Sequence, residues 1–367
     1  MPDPEAIGAL LHDLVATPSP SGDEGQAAQL LADRLSAWGL ETWFDGAGNV
    51  HARAGGASAG RPRVLLLGHI DTVPGQPPVR CEEGVLWGRG SVDAKGPLVS
   101  HAAALAALAD QDAVDVELVA AVGEETDSRG ARHLVDEMEA PDAVVIAEPT
   151  GVATVGLGYK GYMRGALVAR AREAHPGHPA PTASERLLAG LEALTVWSGN
   201  PSRDPAFEET TVRIGQLTTE REAGEQVARA GVDIRLPGGV PDVASLDAMM
   251  PEGVSLEVED ALPAVRGDPR GPLATAVRGT LAARGTRARM AIKTGSSDWN
   301  VVEEAWGVPA VAYGPGDPSL DHTWEERIVL EEVLGAAQVL EQALQAWADR
   351  VPARSSEEGH STYSVSS

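Results

Sequence analysis

The sequence predicts an α/β protein in which a mixed sheet flanked by helices is interrupted by an inserted, ferredoxin-like α+β domain. Its length is the first indication, since 367 residues are more than one small core accommodates. In the outer parts of the chain, short continuous apolar runs alternate with helical stretches, as in sheets that are buried on both faces. In the middle part the strands alternate apolar and polar residues instead, which is typical of a sheet with one solvated face.

The first part of the chain is predicted to contain three buried strands that each run into a polar cluster. In order, its elements are two helices within residues 4–40, strands at 41–44, 50–53 and 64–67, a helix at 97–109, a strand at 116–122, a helix at 131–139 and a strand at 143–147. Histidine or acidic residues follow the last three strands. Open α/β sheets place functional side chains at such strand ends, so we expect a site there.

The middle part is predicted to contain strands at 162–170, 211–216, 226–235 and 254–259, with helices at 183–197 and 243–250. This order of strand, helix, two strands, helix and strand is that of the split βαβ fold. The last part has a helix at 272–284, a strand at 289–293 and a helix at 330–350. The predicted domains are a catalytic domain at 1–157 and 272–351, an insert at 158–271, and a polar tail at 352–367 that we expect to be disordered.

Charge and composition exclude several classes of protein. With 43% hydrophobic and 23% charged residues the composition is that of a globular protein, and a net charge of −25 argues against nucleic acid or an anionic membrane as partner. Cys81 is the only cysteine, which excludes an intramolecular disulfide and a cysteine-rich metal site. No apolar stretch is long enough to span a bilayer, and Asp3 and Glu5 lie where a signal peptide has basic residues. We therefore expect a cytoplasmic protein.

The residues that follow the predicted strands are of the types that bind zinc-like cations in open catalytic sites. In the run His69-Ile-Asp71, an extended backbone would place both side chains on one face, so that Asp71 can orient the imidazole. Asp93 lies in a glycine-rich loop. Glu124 and Glu125 are adjacent at another strand end and should point in opposite directions, one ligating a cation and the other taking a proton from water. An isolated acid is usually a solvated surface charge, but a series at successive strand ends predicts a metal-dependent site.

Five motifs carry a family resemblance, and they are HIDTVPG, GRGSVDAKG, GEETDSRGA, AEPT and DHTWEER. They resemble the successive metal-site motifs of the dizinc aminoacylase and carboxypeptidase family, which includes acetylornithine deacetylases, succinyl-diaminopimelate desuccinylases and glutamate carboxypeptidases. The resemblance implies a zinc-peptidase-like catalytic domain with an inserted lid or dimerisation domain. It also implies a homodimer with two Zn²⁺ ions, or Co²⁺ ions, per subunit.

The same resemblance implies five metal ligands, which are His69, Asp93, Glu125, Glu148 and His322. Asp93 would bridge the two ions. His69 and Glu148 would complete one metal site, and Glu125 and His322 would complete the other.

Further roles are implied by the resemblance. Glu124 would be the general base that takes a proton from the attacking water and returns it to the leaving amine, and Asp71 would orient a metal-ligating imidazole. In many members the lid lends a histidine to the partner subunit's site, and a preceding small residue favours His175 over His178; an exposed loop without such a role is the alternative. Arg235, in VDIRLP, is either structural or a ligand of a substrate carboxylate.

Two more motifs, GLGYKG and KTGSSDWN, resemble the branch that releases lysine or ornithine from the C-terminal glutamate of an acidic amino-group carrier protein, LysW, in lysine and arginine biosynthesis. Lys160 and Lys293 are candidates for binding a product or carrier carboxylate, or else each pairs with a surface acid or caps a helix. Asp298 could receive a cationic substrate side chain. A chain of charge −25 would require a local basic rim to receive the acidic carrier.

Two alternatives differ in substrate or in class. The first is a small-molecule deacylase that cleaves N-acetylornithine or N-succinyl-diaminopimelate by the same chemistry. The second is a metal-free binding homologue, which the sequence disfavours because every ligand position and the base are intact.

Overall fold

The computed structural model describes residues 1–54, 60–109, 114–175, 177–199 and 207–351 of the chain. The described helices are α1 (Pro4–Ala16), α2 (Gly25–Ala37), α3 (Lys95–Leu108), α4 (Arg129–Glu137), α5 (Ala183–Trp197), α6 (Val243–Ala248), α7 (Pro272–Ala283), α8 (Asp298–Trp306) and α9 (Leu330–Ala348), with a 3₁₀ turn at Pro318–Leu320. The strands are β1 (Glu41–Phe44), β2 (Val50–Arg53), β3 (Arg63–His69), β4 (Arg80–Glu82), β5 (Val85–Trp87), β6 (Asp115–Ala121), β7 (Ala143–Ile146), β8 (Thr154–Tyr159), β9 (Gly161–Arg172), β10 (Thr211–Glu222), β11 (Glu225–Leu236), β12 (Val254–Leu262), β13 (Val265–Arg266), β14 (Arg289–Lys293), β15 (Ala310–Ala312) and β16 (Arg327–Val329). None of the helices in the described ranges is long and apolar enough to cross a membrane.

The chain divides into two compact units. The first comprises residues 1–157, 267–291 and 301 to the end of the described chain, and the second comprises 158–266 and 292–300. Residues 292–300, which the sequence division placed in the catalytic domain, therefore group with the insert. The Asn300 side-chain amide donates to the carbonyls of Lys160 (3.1 Å) and Pro263 (2.8 Å), which ties this segment to the second unit. The tail expected to be disordered, 352–367, lies outside the described residues.

The first unit contains a mixed sheet flanked by helices, so this part of the predicted fold is confirmed. Its strand order is β1-β2-β6-β3-β7-β15-β8. The pairs β3–β6, β3–β7 and β7–β15 are parallel, whereas the outer pairs β1–β2, β2–β6 and β15–β8 are antiparallel. Helix α3 is buried along almost its whole length, and α9 packs against both α3 and α7.

Strand β3 shows why the central strands could be predicted. It lies between two parallel neighbours, and Val64 to Leu67 are at most 2% exposed. A strand that is covered on both faces requires a continuous apolar run, which RVLLLGH provides. The strand extends through His69, so the imidazole is carried by its last residue.

The second unit is a four-stranded antiparallel sheet in the order β10-β11-β9-β12, with α5 and α6 packed on it. The element order β9-α5-β10-β11-α6-β12 agrees with that predicted for the insert. Thr182 and Glu185 form a capping box that begins α5. Strand β10 extends to Glu222, beyond the predicted end at 216, because it forms a hairpin with β11 in which Glu222 pairs with Glu225. The lid or dimerisation role of this unit stays a prediction.

Candidate metal centre

Three strand ends of the first unit meet at one edge of its sheet. His69 ends β3, Glu124 and Glu125 follow β6, and Glu148 follows β7. Because β3 is parallel to both β6 and β7, the carboxyl ends of all three strands lie together. Gly68 permits a close approach, since a Cβ atom at this position would lie 2.7 Å from the Cβ of Ala147.

Two groups of potential metal ligands share one aspartate. His69 Nε2 lies 3.3 Å from Asp93 Oδ1 and 3.7 Å from Glu148 Oε1. His322 Nε2 lies 3.0 Å from Asp93 Oδ2 and 3.0 Å from Glu125 Oε1. The ligand atoms within each group are at most 4.8 Å apart. Each imidazole thus meets a different oxygen of Asp93, which is the arrangement of a carboxylate that can bridge two cations.

Glu124 and Glu125 were expected to point in opposite directions from a strand end, and this expectation is wrong. They lie in a turn beyond β6, and both carboxylates place an oxygen within 4.8 Å of His69 Nε2 or Nδ1 and of each other. The turn is held by Asp71, whose carboxylate accepts the backbone N–H groups of Glu124 and Glu125 at 3.1 Å each. Ser21 also donates its hydroxyl to Asp71, at 2.6 Å.

Asp71 also fixes the tautomer of His69. The Nδ1 atom of His69 lies 3.0 Å from the carbonyl oxygen of Asp71 and 3.4 Å from its carboxylate. A carbonyl oxygen only accepts hydrogen bonds, so Nδ1 carries a proton and Nε2 is the nitrogen that a cation shared with Asp93 and Glu148 would use. A neutral imidazole with an outward lone pair is the form that binds a metal.

The electrostatics of the cluster favour a cation. Hydrogen bonds to Asp93 and then Glu125 raise the pKa of His322 to about 10. Burial opposes the protonation of His69, but hydrogen bonds to Asp71 and Asp93 outweigh it and raise its pKa well above the usual range. A divalent cation neutralises the same carboxylates, and imidazole nitrogens with carboxylate oxygens are donors that zinc-like ions accept. The residues therefore fit a metal. We call His69, Asp93, Glu124, Glu125, Glu148 and His322 the metal-centre cluster.

The predicted substrate-binding residues all lie in the second unit. The guanidinium of Arg235 pairs with Asp233, with Nε 2.7 Å from Oδ1, and donates from Nη1 to Ser296 Oγ at 2.7 Å. Lys160 is 1% exposed and donates from Nζ to the carbonyl of Glu209 at 2.6 Å. Burial lowers the pKa of Lys160. The hydrogen bond of Lys160 is to a backbone carbonyl, and the substrate roles of Arg235 and Lys160 stay predictions.

The remaining predicted residues of this unit differ in exposure. Lys293 is half-buried, with Nζ 5.7 Å from the ring centroid of Tyr159, and Asp298 is 3% exposed at the start of α8. His175 and His178 are both exposed in the loop between β9 and α5, where the His178 N–H donates to the carbonyl of His175 at 2.8 Å. The role expected for His175, with His178 as the alternative, stays a prediction.

Three buried charged residues were given no role from the sequence although they lie in the metal-site motifs. Arg89 and Glu326 form a buried ion pair, with Nη1 2.7 Å from Oε2. Lys95 is 1% exposed and donates to the carbonyls of Leu14 and Thr17 at 2.8 and 2.9 Å, and burial lowers its pKa to about 7. The motifs GRGSVDAKG and DHTWEER contain all three residues, so the signal for them was their position inside the motifs.

Comparison with known proteins identifies the family. The family model described as "Peptidase family M20/M25/M40" matches residues 65–346. The chain belongs to this family. It is a metal-dependent hydrolase of the M20 type, and the resemblance drawn from the five motifs is confirmed.

Two curated relatives of this M20 chain align over nearly its whole length. A protein of Thermococcus kodakarensis, provisionally named LysW-lysine/LysW-ornithine hydrolase, is 37% identical over 330 residues, which are 90% of this chain and 89% of the relative. The LysW-lysine hydrolase of Deinococcus radiodurans is 36% identical over 356 residues, which are 94% of this chain and 97% of the relative.

Solved structures share the M20 fold. A tripeptidase of Staphylococcus aureus superposes with a TM-score of 0.74 at 20% identity and covers 94% of this chain and 99% of its own. A dinuclear metal-binding peptidase of the M20 family from Bacillus subtilis superposes with a TM-score of 0.66 at 16% identity, over 94% of this chain and 98% of its own. At these identities the likeness concerns the fold alone.

Proposed function

We propose that this M20 hydrolase releases lysine, ornithine or both from the C-terminal γ-glutamyl linkage of an acidic amino-group carrier protein, LysW, in lysine or arginine biosynthesis. The observation that carries the proposal is the alignment with relatives of that name over about nine tenths of both chains, at 36–37% identity. The complete metal-centre cluster supports it, since hydrolysis of an amide needs both a polarising group and a base.

We propose two Zn²⁺ ions as the metals, with Co²⁺ as the substitute that accepts the same donors. His69, Asp93 and Glu148 would hold one ion, and Asp93, Glu125 and His322 the other. The support is the donor set, since each group offers one imidazole nitrogen and two carboxylate oxygens within 4.8 Å of one another. When bound, such ions polarise a carbonyl group and lower the pKa of water.

Glu124 is the proposed general base. It belongs to neither of the two proposed ligand groups, yet its carboxylate lies within 4.8 Å of the ligand atoms of His69 and Glu125. Asp71 holds the backbone of Glu124 in place through the hydrogen bond to its N–H. Glu124 would accept a proton from the water that attacks the amide carbonyl. It would then give this proton to the leaving amine as the C–N bond breaks, so that a carboxylate and lysine or ornithine result.

The small sheet β16-β5-β4 carries two exposed arginines, which favour an acidic partner. Arg80 and Arg327 flank Trp87 in cross-strand register, and the guanidinium of Arg80 lies 4.5 Å from the Trp87 ring centroid. Both arginines are exposed, and neither makes a salt bridge within the described part of the chain. Strand β5 leads into the loop of Asp93, and β16 follows His322 in the chain. We propose that these two exposed arginines, in segments that adjoin those of Asp93 and His322 in the chain, form the basic rim that an acidic carrier would require.

We also propose that the second unit forms a homodimer and lends His175 to the partner's site. Strand β10 is an edge of its sheet, and its residues Ile214 and Leu217 are 50% and 58% exposed. Leu188 and Val196 of α5 are each 63% exposed. Exposed apolar side chains on an edge strand and a neighbouring helix are typical of a surface that another chain covers.

The substrate proposal is tested by comparing carrier-linked and free substrates. Purified protein with Zn²⁺ or Co²⁺ is incubated with carrier that bears γ-glutamyl lysine or ornithine, and separately with N-acetylornithine and N-succinyl-diaminopimelate. Mass spectrometry should show loss of lysine or ornithine from the carrier, with a kcat/KM at least about 100-fold above that for either free substrate. Turnover of the free substrates alone would refute the carrier proposal in favour of a small-molecule deacylase.

The basic rim gives this experiment a second arm. The double variant Arg80→Glu/Arg327→Glu should raise the KM for the carrier about tenfold or more at low salt, because charges at the rim of an interface steer an acidic partner. Its kcat on a short γ-glutamyl-lysine peptide should stay unchanged. Arg278→Glu/Arg287→Glu, the matched control, changes the charge equally at two other exposed positions. Equal KM values for the two double variants would show that the rim does not bind the carrier.

A further inference from the structure

A buried ion pair lies directly behind the metal-centre cluster. The side chains of Arg89 and Glu326 are 4% and 0% exposed, and Arg89 Nη1 lies 2.7 Å from Glu326 Oε2. Removal of two charges from water is costly, so a buried ion pair is weak evidence for a gain in stability. The contacts of its other atoms supply a different reason for its presence.

Glu326 fixes the backbone on the N-terminal side of Asp93. Its Oε1 atom accepts the N–H groups of Val92 and Asp93 at 2.9 and 3.0 Å. Both peptide planes are thereby held against one buried carboxylate. The direction in which the Asp93 side chain leaves the backbone follows from this constraint.

Arg89 holds the segment that carries His322. Its Nη2 donates to the carbonyl of His322 at 3.4 Å, its Nη1 to that of Thr323 at 3.3 Å, and its Nε to that of Gly75 at 3.3 Å. The φ angle of His322 is 62°, a left-handed conformation that non-glycine residues rarely adopt. Such a conformation persists where its surroundings impose it. Here Arg89 contacts the backbone carbonyl of His322 itself.

We propose that Arg89 and Glu326 are positioning residues that set the spacing between Asp93 and His322. The pair joins two segments 237 positions apart in the chain, and between them Asp93 Oδ2 and His322 Nε2 lie 3.0 Å apart. The inference rests on the proposed assignment of Asp93, Glu125 and His322 to one metal ion. On this proposal, the affinity of Asp93, Glu125 and His322 for their metal ion depends on two residues that are not themselves metal ligands.

Two single variants separate charge from geometry. Arg89→Lys keeps the positive charge, but one ammonium cannot replace a planar fork that reaches Glu326 and three carbonyls. Glu326→Gln keeps the shape and can still accept both N–H groups, but it removes the negative charge. Arg53→Lys is the matched control, because Arg53 pairs with the buried Glu117 away from every residue of the metal-centre cluster.

The experiment titrates metal-free protein with Co²⁺ and follows visible absorption, and it melts the same metal-free protein in parallel. Arg89→Lys should raise one of the two stepwise dissociation constants for Co²⁺ about 10- to 100-fold. It should also alter the visible absorption band of the Co²⁺ ion that is bound more weakly. Glu326→Gln should weaken the binding of both Co²⁺ ions, because without the ion pair to Arg89 the position 326 side chain holds the Asp93 backbone less firmly, and Asp93 is shared by both groups. Arg53→Lys should leave both constants within twofold of the unmodified protein.

A lower melting temperature of metal-free Arg89→Lys with both Co²⁺ constants unchanged would show a merely structural pair and overturn the proposal. If a single variant does not fold, the double variant Arg89→Met/Glu326→Gln removes both charges at similar volume, and unchanged constants in it overturn the proposal too. Unmodified protein that binds no Co²⁺ would refute the metal assignment itself, whereas failure of the carrier assay with normal Co²⁺ binding would refute only the substrate.

Discussion

Two clusters of histidine and acidic side chains lie in the first unit, and they differ in how their negative charge is balanced. In the metal-centre cluster four carboxylates meet two imidazoles. In the second cluster, His51 lies between Glu117 (Nδ1–Oε1 2.8 Å) and Asp45 (Nε2–Oδ2 3.1 Å), and Arg53 also contacts Glu117. We call Asp45, His51, Arg53 and Glu117 the arginine-containing cluster.

The difference separates a cation site from a structural network. In the arginine-containing cluster the guanidinium of Arg53 and the imidazole of His51, whose pKa is raised by hydrogen bonds to both carboxylates, face the charges of Asp45 and Glu117. Trp43 stacks on His51 with ring centroids 4.9 Å apart, which covers the imidazole. In the metal-centre cluster the carboxylates outnumber the imidazoles, so the two divalent cations proposed above would complete the balance. Charge balance, rather than residue type, therefore distinguishes the two clusters.

The largest expected effect comes from exchanging one carboxylate for an amide in each cluster. Glu124→Gln should keep both metals but lower kcat by about 10³-fold or more, because the variant has no proton acceptor for the attacking water. Glu117→Gln should leave kcat within about twofold and lower the free energy of unfolding instead. Steady-state kinetics, metal analysis and urea unfolding of both variants check this pair of outcomes. A Glu124→Gln enzyme with more than a tenth of the original kcat would rule out Glu124 as the base.

A smaller effect is expected on stability when metal is removed. Chelation should abolish activity and lower the melting temperature by several degrees, since a cation at 100 times its Kd contributes about 2.7 kcal/mol. The shift should be the same in His51→Gln, because the arginine-containing cluster needs no metal. Differential scanning calorimetry with chelator and then with added Zn²⁺ measures both shifts. Equal melting temperatures with and without metal would argue against ligation by the metal-centre cluster.

Much of this contrast could be predicted from the sequence, because the elements involved are long and regular. Strand β3 was predicted from its continuous apolar run, and the position of His69 followed from it. Strands β4, β5, β13, β15 and β16 have two or three residues each and show no periodicity, so they were missed. Helix α8 was also missed, because the chain there reads as a glycine- and serine-containing loop.

The partners of charged side chains could not be predicted, because they depend on pairs that are distant in sequence. Glu325 and Glu326 are adjacent and identical in type, yet Glu325 is exposed and Glu326 is 1% exposed. His51 and Glu117 are 66 positions apart, and only the pairing of β2 with β6 brings them together. Local sequence thus predicts which residues carry charge, whereas tertiary pairing decides which of these charges is already balanced.

The smallest expected effect is the pH dependence that the arginine-containing cluster gives to stability. Burial opposes the protonation of His51, but hydrogen bonds to Asp45 and Glu117 outweigh burial and raise its pKa. Burial likewise opposes ionisation of Asp45, but hydrogen bonds with His51 and Asn49 lower its pKa from 3.8 to about 2. The stabilisation from His51 is complete below about pH 6.5, its unfolded value, and is lost as pH rises through its raised pKa. That from Asp45 is present above pH 3.8 and is lost as pH falls toward 2.

His51→Gln tests this window, which lies between about pH 4.5, the ordinary pKa of the Glu117 carboxyl, and about pH 6.5, that of the imidazole. The variant should be less stable than the unmodified protein by about 2 kcal/mol at pH 5.5, and the difference should shrink by pH 9. Urea unfolding of both proteins at each pH measures it, and the subtraction removes the pH dependence that the metal-centre cluster gives to both. A difference that is constant or grows with pH would mean that His51 is not held protonated. The arginine-containing cluster would then carry surplus negative charge as well, and charge balance would no longer distinguish it from the metal-centre cluster.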